Sequence, residues 1–253
     1  MLSNIWTIAR RDFRAYFTSP IAYIVIALFL FIMGWMFFNN LSYFMSQSMQ
    51  FQSMGKSPSI ADGVVRPLYG NMNVVLLFMV PFITMRLFAE EKKQHTIELL
   101  MTSPVTLTDI ILGKFFSAFL LVLVMLLGTL VYPAVLFLTG NPDRGPIIGS
   151  YVGTCLLACS YISLGVLFSA LTENQIVAGA LTFAITLFFW LISWASQSAG
   201  PVVGDLLQYL SLIGHYANFS QGVLNTSDVI YYLSFTGISL FLTHRALDSF
   251  RWR

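Results

Sequence analysis

Charge is what this sequence is shortest of. Lys, Arg, Asp and Glu make up 9% of 253 residues, against 57% for hydrophobic types, where soluble domains carry about 25% charged residues. So little polarity cannot cover one water-soluble core, which points to a polytopic all-α membrane protein. The alternating segments of about ten residues that a membrane β-barrel needs are also missing. A formal charge of +2, divided along the chain, argues against nucleic acid. Only two cysteines occur, Cys155 and Cys159, four apart in an apolar run. No His, Asp or Glu stands near them, so helix packing is the plainer reading than a metal site. There is no GxxxxGK[ST] phosphate loop: Gly113 and Lys114 are followed by Phe115, and Thr108 stands at the first glycine position. Without the hydroxyl and glycines that cradle phosphate and Mg²⁺, the chain alone should not hydrolyse ATP. HExxH and GxSxG are absent, and the three histidines are scattered. His215 and His244 read as residues of wet interfaces. No apolar run has an ionisable group at its middle, which disfavours an ion-coupled transporter working alone.

What is present is a series of membrane-length runs. Residues 1–20 read as an amphipathic interfacial helix, with Leu2, Ile5, Ala9, Phe13, Tyr16 and Phe17 near one face and Arg10, Arg11 and Arg14 opposite, toward anionic lipid. No apolar signal-peptide core precedes Pro20. The spans fall at about 21–38, 68–88, 115–139, 147–171, 176–194 and 229–243 within a transmembrane domain of 21–247, leaving a tail at 248–253. Residues 39–71 read as a partly helical external loop. Pro81 is expected to kink the second span. Thr106 and Asp109 have the spacing of a capping box, so the third helix starts before its apolar run. Gly149 and Gly153 form a GxxxG that favours close packing without naming the partner. Trp190 and Trp194 read as belt anchors. Residues 201–222 are apolar in patches but carry Asp205, Gln208 and His215, and read as short re-entrant or interfacial helices on the outer side.

The basic residues orient this arrangement. With six spans and both ends inside, ten of the 13 Lys and Arg lie on the inner side and three, Lys56, Arg66 and Arg144, on the outer. A seventh span over 201–222 would make the split seven to six, so the bias selects six. Both termini are then expected on the cytoplasmic side.

The most charged stretch, residues 86–114, becomes an inner loop. It holds Arg86, Glu90, Glu91, Lys92, Lys93, His95, Glu98, Asp109 and Lys114. Ile97, Leu100 and Met101 are spaced for one apolar stripe on a short helix, suited to a groove on a partner. Glu90, Glu91, Lys92, Lys93 and Glu98 would ring it with charge, giving register more than affinity. The plain alternative is a solvated turn that merely caps two spans. Glu173, in the short turn 172–175, is either a polar turn residue or a second contact with the same partner.

The stretch 81–116, PFITMRLFAEEKKQHTIELLMTSPVTLTDIILGKFF, resembles the inner loop of ABC-2-type transporter permeases. It is most similar to the permease of the gliding-motility-type ABC system, with the nitrous-oxide-reductase maturation permease as a cousin. Arg86, Glu90, Glu91, Thr96, Ile97, Glu98, Leu99, Leu100, Ser103, Pro104, Gly113 and Lys114 match the shared pattern. His95 stands where the family usually has Gly, which bears on the turn there. The stretch 19–23 and the turn Glu173, Asn174, Gln175 also resemble that subgroup. The resemblance implies a cytosolic coupling helix in the first inner loop, re-entrant helices before the last span, and two permease protomers, identical or different, on two ATP-binding subunits. ATP and Mg²⁺ would bind the partner ATPase, with no cofactor in this chain. An auxiliary membrane or periplasmic subunit is a further possible partner.

Two functions fit. In one, ATP-driven movement of the partner tilts the bundle through the inner loop, and the chain acts as the permease subunit of an exporter. In the other, the same bundle transmits force to a membrane or periplasmic partner without passing a substrate. A purely structural anchor is the third reading.

Overall fold

Apolar runs of this length can satisfy their backbone only internally, so they form helices. The computed structural model describes residues 2–53, 59–96, 105–140, 142–198 and 200–250, and among these every regular element is helical. In order they are α1 (Leu2–Thr18), α2 (Pro20–Ser53), a π-helical turn (Ala61–Val65), α3 (Arg66–Thr84), α4 (Ala89–Lys93), α5 (Leu107–Gly128), α6 (Val131–Thr139), α7 (Arg144–Leu171), α8 (Gln175–Ser198), α9 (Pro201–Leu210), α10 (Leu212–Ser220) and α11 (Thr226–Phe250).

Helix ends follow local chemistry. Thr106 caps α5: its hydroxyl accepts from the Asp109 N–H, and the Asp109 carboxylate accepts from the Thr106 N–H, the reciprocal pair expected from the spacing. The third apolar run breaks at Thr129–Leu130. Pro133 cannot donate to the Thr129 carbonyl, and the Tyr132 N–H bonds it instead at 3.1 Å. α3 ends at Thr84, one turn after Pro81, where the Thr84 hydroxyl donates back to the Val80 carbonyl. α2 runs 34 residues, about 50 Å at 1.5 Å per residue. It therefore continues through 39–53, half of the stretch read as an external loop. Asn39 and Asn40 are polar, but neither Gly nor Pro occurs between Phe38 and Ser53.

α7 is the hub, touching α3, α5, α8, α10 and α11. In its most apolar window 72% of the residues are buried, as in α3, against 22% in α2 and α8. Among the described residues, five segments are long and apolar enough to cross a membrane: Pro20–Ser48, Ala61–Lys93, Leu107–Leu138, Arg144–Leu171 and Gln175–Ser196. α11, the sixth span of the sequence reading, has the length at 25 residues but is less apolar. Its buried stripe is Asp228, Tyr232, Ser239, Thr243 and Leu247, so three polar side chains are turned inward while Ile230, Leu233, Ile238 and Phe241 are exposed.

At one end of the bundle α9 and α10 pack beside α8 and α7. The GxxxG pair finds its partner there within the chain: a Cβ on Gly149 would lie 2.4 Å from the Phe219 carbonyl oxygen, and one on Gly153 would lie 2.7 Å from Phe219 Cβ. His215 ties α10 to α11, with Nδ1 at 2.6 Å from Asp228 and Nε2 at 2.9 Å from the Tyr209 carbonyl. The other end carries α1 and α4.

Candidate functional site

The charged stretch folds back on the bundle in two steps. After α3, a turn over residues 85–88 leads into the single-turn helix α4. α4 is closed by a Schellman pair, Thr96 N–H to the Glu91 carbonyl at 3.0 Å and His95 N–H to the Lys92 carbonyl at 3.1 Å. This closure needs a left-handed residue just past the helix, and His95 supplies it at φ 55°. Glycine is the default there because it lacks a Cβ. The departure at His95 therefore changes the residue and keeps the turn.

The last turn of α7 holds this loop. Ser169 Oγ accepts from the N–H groups of Phe88 at 2.9 Å and Ala89 at 3.1 Å, and donates to the Met85 carbonyl at 3.0 Å. One buried hydroxyl thus satisfies two backbone donors at the start of α4 that have no partner within the helix. Lys92 Nζ donates to the Ala170 carbonyl, and the side chain is buried. The backbones approach closely because residue 165 is glycine: a Cβ there would lie 2.0 Å from Thr84 Oγ1.

An ionic network holds the loop from the opposite side. Lys114 Nζ, with 3% of its side chain exposed, lies 2.7 Å from Glu91 and 3.4 Å from Asp12. Arg11 reaches Asp12 at 2.8 Å and Glu91 at 3.7 Å. Burial works against the Arg11 charge, but the hydrogen bond and charge of Asp12, with Glu91 behind them, raise its pKa above the ordinary arginine value. Gly113 admits α1 to this contact, since a Cβ would lie 2.7 Å from Ile8 Cβ. The Gly-Lys pair that fails as a phosphate loop therefore has a structural role: glycine seats α1 and lysine joins α1 to α4. Tyr16 adds another tie, its hydroxyl donating to the Ile83 carbonyl at 3.0 Å and its ring lying 5.1 Å from the Arg86 guanidinium.

An open cavity of about 940 Å³ lies between α1 and the loop, lined in part by Arg11, Asp12, Arg86, Glu90, Glu91 and Lys114. A second cleft is shared by Lys93, Glu173, Asn174, Gln175 and Ile176. The structure thus brings Glu90 and Glu91 to one cavity and Lys93 and Glu173 to another, with Lys92 buried between loop and hub. Lys92 is not on the exposed rim where the charge run put it; burial against Ala170 takes it out of that ring. Arg10, Arg11 and Arg14 are exposed on α1, although Arg11 is engaged by carboxylates. Ile97, Glu98, Leu100 and Met101 lie outside the described residues. Sequence reasoning missed Asp12 and Ser169, an acid among arginines and a serine in an apolar run, neither with a local pattern to distinguish it.

Comparison with known proteins bears on the whole arrangement. A family model described as "ABC-2 family transporter protein" matches residues 6–245. The "Probable multidrug ABC transporter permease YbhS" of Escherichia coli (strain K12) is 29% identical over 107 residues. The protein of the same description from Escherichia coli O157:H7 matches to the same extent. The aligned stretch is 42% of this chain and spans 28% of the length of each of those relatives.

Proposed function

The chain belongs to the ABC-2 family of transporter proteins, and from that premise we propose that it is the membrane permease subunit driven by a separate ATP-binding subunit. Two copies of that ATPase act on a pair of permease protomers from the cytoplasmic side of a bacterial inner membrane. The end carrying α1 and α4 faces them, as the bias of basic residues supports. α11 serves as the sixth crossing, so both termini are cytoplasmic. The residues offered to the ATPase are Lys93, Ile97, Glu98, Leu100 and Met101 on the loop and Glu173 on the neighbouring turn, while Glu90 faces the cavity beside α1. The resemblance of residues 19–23 and 173–175 supports a place near the gliding-motility-type permeases. The cargo is an amphipathic, lipid-like molecule; the low polarity of the spans supports this, as does the multidrug description of the matched relative.

The observation that carries the reading is the double attachment of the loop. Ser169, Ala170 and Gly165 fix it to α7, and Lys114 with Asp12 fixes it to α5 and α1. A push on the loop therefore moves the hub helix, and the bundle responds as a rigid body rather than by local bending. The tie to α7, the fourth span, adds to the covalent connections of the loop with the second and third.

The test is the double substitution Ile97→Ala/Leu100→Ala in the complex reconstituted in vesicles. ATP hydrolysis should continue while movement of an amphipathic dye falls at least several-fold. Unchanged transport per ATP would sink the assignment.

A further inference from the structure

The cavity beside α1 contains charges that the ionic network leaves over. Three cations and three carboxylates line it. Arg11 and Lys114 are satisfied by Asp12 and Glu91. Arg86 and Glu90 make no ion pair among the described residues, with each other or with anything else, and both are half-buried. Arg86 is nevertheless held in place by the buried ring of Tyr16, which is itself tethered to Ile83. The cavity thus offers one guanidinium and one carboxylate, four residues apart, to a single occupant. At about 940 Å³ and open to its surroundings, it takes a group much larger than an ion. It lies where the amphipathic α1 meets the start of α2 at Ser19, at the depth of lipid headgroups for a helix of this kind.

We propose that this cavity binds the headgroup of a zwitterionic phospholipid carrying a primary ammonium, that is, phosphoethanolamine. The phosphate lies on Arg86, whose planar fork suits phosphate oxygens. The ammonium donates to Glu90. The two leftover charges also select against rivals. A phosphoglycerol headgroup sets the same phosphate on Arg86 but brings only neutral hydroxyls to Glu90, leaving that carboxylate without a counter-charge, and phosphocholine has no N–H to donate to it.

The measurement is lipid retention by the purified full-length chain in native mass spectrometry. It is titrated with phosphatidylethanolamine, phosphatidylglycerol and phosphatidylcholine of matched acyl chains, and with free phosphoethanolamine as competitor. Phosphatidylethanolamine should be retained roughly tenfold better than either rival, the scale of one charge-assisted hydrogen bond. Glu90→Gln should abolish that preference over phosphatidylglycerol while binding persists. Arg86→Gln should weaken all three, and Arg86→Lys should restore part of the loss. The preference ratio does not move with general destabilisation, so it separates recognition from folding. Equal retention of the three lipids by the unaltered chain, or an unchanged ratio in Glu90→Gln, would overturn the proposal. Competition by free phosphoethanolamine at the concentrations at which the lipid binds would overturn the lipid as source. The assay needs no ATPase, so its failure leaves the coupling reading untouched.

Discussion

α4 and α10 are short helices at opposite ends of the bundle, and both close with the same pair of backbone hydrogen bonds around one left-handed residue. Past α10 that residue is Gly222, at φ 80°, and a Cβ there would lie 2.6 Å from the Gly145 carbonyl carbon. Past α4 it is His95, exposed to solvent. Gly222 is required twice, by its own backbone and by its neighbour. His95 meets only the first demand, which costs about 1–2 kcal/mol for a residue with a Cβ. The difference separates the two ends in character. The α10 end is sealed by backbone touching backbone, Gly149 on the Phe219 carbonyl and Gly222 on Gly145, with Gly153 against the Phe219 side chain. The α4 end is held by side chains and stays open around a cavity. A sealed end suits a fixed strut, and an open, charged one suits a surface that a partner must reach.

Substitutions can break or sharpen this contrast. The largest effect is expected from Gly222→Ala, which adds a steric clash to an unfavourable φ and should cost about 2–5 kcal/mol in thermal unfolding in detergent. A loss no larger than the left-handed penalty alone would make the two ends equivalent. Next comes Glu91→Ala, which leaves the Lys114 ammonium buried with only Asp12 at 3.4 Å. Its cost should be about 2–3 kcal/mol, below the figure for a fully buried pair because Glu91 is 21% exposed. Asp12→Asn measured alongside it should cost less, since the 2.7 Å partner remains. Ser169→Ala strands two backbone donors at the start of α4 and should cost about 1–2 kcal/mol. It should also raise amide exchange at Phe88 and Ala89; unchanged exchange would mean the hydroxyl holds nothing. The smallest and only favourable change is His95→Gly, a gain of about 1 kcal/mol from relieving the left-handed residue. His95→Ala should give no comparable gain.

What could be read in advance was local. The Thr106–Asp109 cap is written within four residues, and it forms as read. The histidine-for-glycine departure at 95 bore on the turn because a backbone requirement belongs to one position. The apolar runs announced their helices for the same reason. Lys92 shows where such reading stops. It sits in a run with Glu90, Glu91 and Lys93 and looks like its neighbours, yet it is buried on a carbonyl 78 residues away. The GxxxG of α7 likewise announced a close contact without naming Phe219. α11 has modest hydropathy, and only packing reveals that Asp228, Ser239 and Thr243 are turned inward. In α2 the polar residues after Phe38 suggested a loop, but a helix needs a breaker to stop, and none lies there.

The slight burial of α2 bears on how the chain is assembled. A helix with 22% of its apolar window covered by its own chain is nearly complete as soon as lipid surrounds it. α3 and α7, with 72% covered, bury Asn73 and Thr154 against each other and are unfinished until both have been made. Because α2 is translated before either of them, it can settle sideways into the bilayer during synthesis and wait there as a fixed post. The central pair must instead be kept from hydrocarbon until its members meet. Slowing elongation between α3 and α7 would therefore burden the cell's insertion and quality-control machinery far more than slowing it after α2.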